Sequence, residues 1–223
     1  MASYKRHVDP DSISTLTVAR LSVYLRCVDR LIELDVETVS SQDLARRFNL
    51  NSAQIRKDLA YFGEFGVRGV GYNVRELRRY IVEILGLDQE RRVLIVGAGN
   101  LGTALCHYSG FSGGSFLVVG ILDSDPARIG HPTPAGLLVE DSSRIPEIVR
   151  DRGVCIGVIT TPVSGAQSVC DAFVEAGLKT VLNFAPIRVR APEHVLVKSV
   201  DLKIYLEELS FHLTHNAESS GSS

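Results

Sequence analysis

Three features of the sequence predict an α/β chain in two parts, a winged helix-turn-helix followed by a doubly wound Rossmann domain. Short amphipathic segments joined by tight turns fill residues 14–86, with the four-glycine stretch GEFGVRGVGYN before the last of them. An apolar run, RVLIV at 92–96, leads straight into GAGNLG at 97–102. Further apolar runs then alternate with helical patterns, as a parallel sheet with crossover helices requires. The expected divisions are 1–86, 87–200, a terminal helix at 201–216 and a polar tail at 217–223 that is expected to be disordered.

The bounds are those of an ordinary globular protein. The 223 residues are 45% hydrophobic and 22% charged, enough for one large or two modest cores. No apolar stretch reaches membrane-span length, and the polar start MASYKRHVDPDS lacks the apolar centre of a signal peptide. A cytoplasmic location is therefore expected. Cys27, Cys106, Cys155 and Cys170 form neither a CxxC pair nor a metal-ligand spacing, so no metal is expected. They read as reduced, half-buried small hydrophobes, with thiol redox chemistry the lesser alternative. Net charge is −2, but it is unevenly spread. Residues 1–86 carry 13 basic against 11 acidic side chains, and 87–223 carry 11 against 15. Within residues 40–79 there are 8 basic and 4 acidic, a local surplus around QIRKDLAYFG at 54–63.

Each N-terminal element follows from spacing. Val18, Leu21, Tyr24, Leu25, Val28, Leu31 and Ile32 form one stripe of a helix over 14–34. SQDLARRF at 41–48 is a second helix, capped by Ser40 or Ser41. After the Asn49-Leu50-Asn51 turn, Ser52 is placed to cap a third helix that runs to about Phe62. On that helix Ile55, Leu59 and Phe62 share a narrow arc and face the core, while Ala53, Arg56, Lys57 and Ala60 share the opposite side. Small residues admit close approach to a groove, and Arg and Lys reach base edges or phosphates. A solvated face is the plainer alternative, but exposed alanines argue against it. GEFGVRGVGYN then reads as a two-stranded wing with Arg68 near its tip, suited to a minor groove. Arg46 and Arg47 are either phosphate contacts or solvated. Asn73 caps a fourth helix, with Glu76 as its capping-box partner, and Gly86 ends it.

The second part has the context that a bare G-x-G-x-x-G lacks: a strand before, a helix after and an acid closing the next strand. Gly97 permits the tight turn, and Gly99 lets the backbone, with Ala98, Asn100 and Leu101, approach a pyrophosphate. Gly102 lets the helix pack on the strand. FLVVGIL ends at Asp123, 21 residues after Gly102, where a carboxylate bonds ribose hydroxyls and repels a 2′-phosphate. Ser124 and Asp125 follow, so no arginine is expected beside it and NAD(H) is favoured over NADP(H). A helix is expected around 143–152. VCIGVITTP then ends in Thr160, Thr161 and Pro162, and TVLNFAP ends in Asn183, Phe184 and Ala185. Both ends fall at the carboxyl edge of the sheet, where hydroxyls and an amide suit ribose and carboxamide groups.

DLKIYLEELSFHLTH at 201–215 is a strongly apolar terminal helix that packs either on its own domain or on a partner subunit. Nothing marks catalysis. No tyrosine is followed four residues on by lysine, and His107, His131, His194, His212 and His215 occupy no assignable position. A bound cofactor without chemistry suggests a ligand that is sensed.

RKDLAYFG at 56–63, RGVGY at 68–72, GAGNLG at 97–102 and NFAP at 183–186 occur in that order. With them, from about Val18 to Leu213, the chain resembles the Rex family of redox-sensing transcriptional repressors. The resemblance implies a homodimer that exchanges its C-terminal helix, holds palindromic operator DNA when NADH is scarce and releases it when NADH binds in competition with NAD⁺. The displayed helix face, the turn and the wing make Arg46, Ser52, Ala53, Arg56, Lys57 and Arg68 the expected DNA contacts. The resemblance also implies a polar relay of Arg26, Tyr108 and Asp201, in which Asp201 exchanges a tyrosine hydroxyl for an arginine as the cofactor changes. An NAD(H)-dependent oxidoreductase whose helical domain serves dimerisation is the alternative. A third reading places another nucleotide, coenzyme A or ATP, on the Rossmann fold.

Overall fold

The computed structural model describes residues 13–63, 65–67, 69–108, 110 and 114–219, with the side chains of 216–219 excepted. It divides between Gln89 and Glu90 into two compact units. No described helix is long and apolar enough to cross a membrane, and no group of described His, Cys, Asp or Glu is arranged to hold a metal ion.

The first unit packs α1 (Thr15–Glu33), α2 (Ser41–Phe48), α3 (Ser52–Ala60) and α4 (Val74–Ile84) around one core. Leu21, Val28 and Leu31 of α1, Leu44 of α2, Ile55 of α3 and Leu77 and Ile81 of α4 are almost fully buried there. The helix starts are set by side-chain caps: Ser14 Oγ accepts from the Thr17 amide, Ser40 Oγ from Asp43 and Asn73 Oδ1 from Glu76. The cap of α3 differs from expectation. Asn51 Oδ1 accepts the amides of both Ala53 and Gln54, which makes Ser52 the first helical residue. Asn49, in the left-handed conformation, closes α2 and sets the tight turn.

The wing also differs. Its distal limb, β2 (Tyr72–Asn73), pairs antiparallel with β1 (Thr38–Val39), a two-residue strand between α1 and α2 where the sequence pattern predicts no element. Among the described residues, the limbs of the wing themselves pair at the Val67–Gly71 bridge alone. Gly71 is needed here: at φ +102° its missing Cβ would lie 2.5 Å from the Val39 carbonyl oxygen. Arg68, at the expected tip, lies outside the described residues.

The second unit is one six-stranded parallel sheet. Its strands are β3 (Arg91–Val96), β4 (Phe116–Asp123), β5 (Val139–Asp141), β6 (Ile156–Ile159), β7 (Thr180–Asn183) and β8 (Leu196–Ser199). In space they run β5-β4-β3-β6-β7-β8, the doubly wound order in which the chain reverses direction across the sheet beside β3. Alternation along β3 divides the core. Leu94 and Val96 pack with Ile148 of α6 (Ile145–Asp151) and Phe173 of α7 (Val163–Glu175), while Val93 and Ile95 pack with Cys106 of α5 (Asn100–Cys106). Cys27, Cys106 and Cys170 are buried and Cys155 partly so; burial pushes the Cys106 thiol up to about 11, away from reactivity. The terminal helix, α8 (Leu202–Ser219), is capped by Asp201, whose Oδ1 accepts the Lys203 amide. It runs through residues 217–219 of the expected tail; 220–223 lie outside the described residues.

Candidate functional site

On α3 the arc that carries Ile55, Leu59 and Phe62 is buried, and Ala53, Arg56, Lys57 and Ala60 are exposed. The charged face is therefore displayed on a helix held by its other side. Arg56 is aimed across the turn, donating to Ser41 Oγ at 2.9 Å. A groove of about 750 Å³ runs between α3 and the wing, lined by Ser40, Ser41, Arg56, Ala60, Gly69 and Tyr72. A smaller one at the helix-turn-helix joint brings Arg46 and Ser52 together with Asn51. Arg46 is itself paired with Asp43, one turn earlier on α2.

The orientation of α3 rests on a residue the sequence reading passed over. Asp58 has no solvent exposure, and four donors converge on it. Arg20 Nε and Nη2 of α1 donate at 2.6 and 2.7 Å, Tyr24 Oη at 2.9 Å and Gln54 Nε2 at 2.7 Å. Burial pushes the carboxyl up, but these bonds and the guanidinium charge outweigh it and hold Asp58 below the usual carboxylate range. An ion pair with its carboxylate buried thus ties the displayed helix to α1.

In the second unit the cleft lies at the carboxyl edge of the sheet, on the β3 side of the reversal. It measures about 830 Å³ and is lined by Gly97, Gly99, Asp123, Arg128, Thr160, Thr161 and Pro162, among others. Gly97 sits at φ +112°, and a Cβ there would meet the Thr160 backbone at 2.7 Å. A Cβ on Gly102 would lie 1.9 Å from the Gly97 carbonyl oxygen, so α5 reaches the strand only through glycine. Thr160 Oγ1 donates to the same carbonyl at 2.8 Å and fixes the loop from the far side. Asp123 closes β4: its Oδ2 accepts the Ala98 amide at 2.7 Å and its Oδ1 the Asp125 amide at 3.0 Å. Burial raises its carboxyl, and these amides with the Arg128 charge more than reverse that, keeping it anionic. Among the described residues Thr161 Oγ1 finds no hydrogen-bond partner although it is buried, a polar atom left for a ligand hydroxyl or phosphate. The glycine cradle, the strand-end acid and this unpaired hydroxyl fit a dinucleotide.

Comparison with known proteins decides what this arrangement belongs to. Residues 12–60 match the family model "Putative DNA-binding protein N-terminus", and 88–187 match "CoA binding domain". The chain is 46% identical to the redox-sensing transcriptional repressor Rex of Pelotomaculum thermopropionicum, over 92% of this chain and 96% of that one. It is 48% identical to the Streptomyces coelicolor repressor of the same name, over 90% and 77%. The chain belongs to the Rex family of redox-sensing transcriptional repressors. The Rex-family repressor RSP, solved with NAD⁺ and operator DNA, superposes with a TM-score of 0.87 at 33% identity, covering 95% of this chain and 99% of that one. RSP with NADH gives 0.84 at 32% identity, with the same coverage.

Two expectations for the Rex-type cleft need correction. An arginine does stand beside Asp123: the turn after β4 brings Arg128 back, and its Nη1 donates to Asp123 Oδ2 at 3.2 Å. Adjacent-residue reasoning missed it because the turn spans five positions. The Asn183 side chain does not serve the cleft either. It is fully buried, its Nδ2 donating to the Ile187 carbonyl at 2.8 Å and its Oδ1 accepting the Ala185 amide at 3.0 Å, so its amide holds its own turn. Phe184 and Ala185 follow in that turn, packed against the cores of the sheet. Of the relay residues, Arg26 is exposed on α1, Tyr108 is half-exposed just past α5 and Asp201 caps α8.

Proposed function

We propose that this chain is a transcriptional repressor that reads the NADH/NAD⁺ balance, gripping palindromic operator DNA and releasing it when NADH occupies the cleft. The observation that carries the proposal is the presence, in one chain, of a displayed Ala53-Arg56-Lys57-Ala60 face and a glycine cleft closed by Asp123. Relatives named as redox-sensing repressors, and RSP solved with operator DNA and with each cofactor form, support it. Arg56, Lys57 and Ala53 read the major groove, Arg46 and Ser52 meet phosphates at the helix-turn-helix joint, and Arg68 belongs to the wing. Gly97 to Gly102, with Ala98, Asn100 and Leu101, cradle the pyrophosphate; Asp123 takes the adenine ribose; Thr160, Thr161, Pro162, Phe184 and Ala185 bound the nicotinamide side.

The protein acts as a homodimer in the cytoplasm. Leu202, Tyr205, Leu206, Leu209, Phe211 and Leu213 of α8 are each more than half exposed, a face that a second copy covers by exchanging the helix. Each such side chain, once covered, contributes up to about 1.5–3 kcal/mol. The domain boundaries that fit this reading are 1–86 for the DNA-binding part, 87–200 for the cofactor part and 201–216 for the exchanged helix. NADH is preferred over NAD⁺ because a neutral nicotinamide enters an apolar pocket without the cost of burying a charge. Binding then acts by favouring one of two dimer arrangements, through Arg26, Tyr108 and Asp201. A tenfold loosening of DNA needs a coupling of about 1.4 kcal/mol.

The direct test is titration of the full chain with NADH, followed by the nucleotide's own fluorescence, with NAD⁺, coenzyme A and ATP as competitors. Displacement by NAD⁺ at higher concentration, but not by coenzyme A or ATP, is expected. Displacement by coenzyme A at lower concentration contradicts the assignment.

A further inference from the structure

The two charges at the ribose end of the cleft bear on which nucleotides it admits. Asp123 is nearly buried, while the Arg128 side chain is about half exposed (46%). The arginine's backbone is fixed by the turn that follows β4: the Arg128 amide donates to the Asp125 carbonyl at 2.9 Å, and the Ala127 amide to Asp125 Oδ1 at 2.9 Å. Its side chain reaches back from this anchor to Asp123 Oδ2 at 3.2 Å, with Nε 3.5 Å from the Asp125 carboxylate. Its Nη1 also lies 3.5 Å from where a Gly99 Cβ would sit, so the guanidinium stands between the strand-end acid and the glycine loop.

A strand-end carboxylate selects a free ribose diol, and an arginine in its place accepts a 2′-phosphate. This cleft holds both. We propose that Arg128 is an anion-binding arm held in check by Asp123, so that one carboxylate decides whether the cleft takes a ribose diol or a 2′-phosphorylated ribose. The proposal rests on the dinucleotide reading of the cleft. With Asp123 present, the guanidinium is partly neutralised, the carboxylate repels a 2′-phosphate and the diol bonds the acid. With Asp123 neutral, the same guanidinium has lost its closest counter-charge and lies within reach of the phosphate, which it pairs through a forked, charge-assisted contact. The ammonium of a lysine offers no such fork. The surface position of the side chain matters, because a half-exposed arginine changes partner at small cost.

The test uses the full-length chain and the intrinsic fluorescence of NADH and NADPH. Wild type is expected to bind NADH in preference to NADPH. D123N keeps an acceptor for the Ala98 amide while removing the charge, and is expected to shift the NADPH/NADH affinity ratio upward by about tenfold or more. D123S, which opens more room, shifts it in the same direction. D123N/R128Q is expected to lose most of that gain, because the arm is gone. An unchanged ratio in D123N and D123S overturns the proposal, as does an equal gain in D123N and D123N/R128Q. Wild type binding neither reduced nucleotide defeats the dinucleotide reading itself, which separates that failure from failure of the arm.

Discussion

Removing the cation from the buried pair beneath α3 isolates how the DNA-reading helix is held. R20M deletes both guanidinium donors and leaves Asp58, with no solvent exposure, held only by Tyr24 and Gln54. Breaking a buried pair from one side costs about 3–5 kcal/mol, and the two surviving donors place this case near the lower end, about 3 kcal/mol. D58L instead strands the Tyr24 hydroxyl, worth about 1–3 kcal/mol, while Arg20, a third exposed, turns to water. A value of about 2 kcal/mol follows for D58L. R20M/D58L leaves only the tyrosine unsatisfied and again costs about 2 kcal/mol, so the pair couples by about 3 kcal/mol. Hydrogen exchange of the α3 amides in the full-length chain reports the local opening. R20M is expected to speed exchange by about a hundredfold, and the double variant by about thirtyfold, slower than R20M although it carries one more substitution. Costs of the single variants that add to within about 0.5 kcal/mol, or unchanged α3 exchange in R20M, refute the claim that this pair positions the helix.

Other outcomes follow from the same geometry. Because Asp58 is held below its ordinary pKa, its contribution is complete above the usual carboxylate range and is lost as pH falls through the lowered value; α3 exchange is expected to accelerate steeply below about pH 4 in wild type and less steeply in D58N. K57A, on the exposed face of α3, is expected to weaken operator binding by about 1–3 kcal/mol, measured by anisotropy, with a shallower salt dependence if Lys57 meets phosphate. G102A places a Cβ 1.9 Å from the Gly97 carbonyl oxygen, so NADH binding is expected to collapse while duplex binding without cofactor persists. D201N keeps the cap of α8 but removes its charge; either operator affinity or the response to NADH is expected to become abnormal, and normal values for both defeat the relay.

Much of the architecture was legible because it is written locally. SQDLARRF carries its cap, its apolar positions and its closing asparagine within ten residues, and it folds over the predicted span. RVLIV announces a strand buried on both faces, and FLVVGIL one whose carboxyl half is so buried. What escaped depends on partners distant in sequence. β5 is three residues, Val-Glu-Asp, and is a strand only because β4 lies beside it. β1 and β2 have two residues each and exist only as a pair. Asp58 belongs to the edge of the buried arc of α3, and a lone acid there, with Arg20 and Tyr24 four apart on α1, is a signal that apolar periodicity discards. Asn183 misled in the opposite sense: a strand-end amide reads as pocket-facing, but its own turn takes both amide hydrogens and supplies a donor to Oδ1.

The central claim is that one hydride on a bound dinucleotide decides whether this chain holds DNA. The most direct measurement selects bound duplexes from a random pool with the cofactor-free protein, labels the recovered site and follows its anisotropy as NADH or NAD⁺ is added. A palindromic duplex released by NADH, and retained at equal concentrations of NAD⁺, is the predicted result. A duplex released equally by both, or by neither, contradicts it.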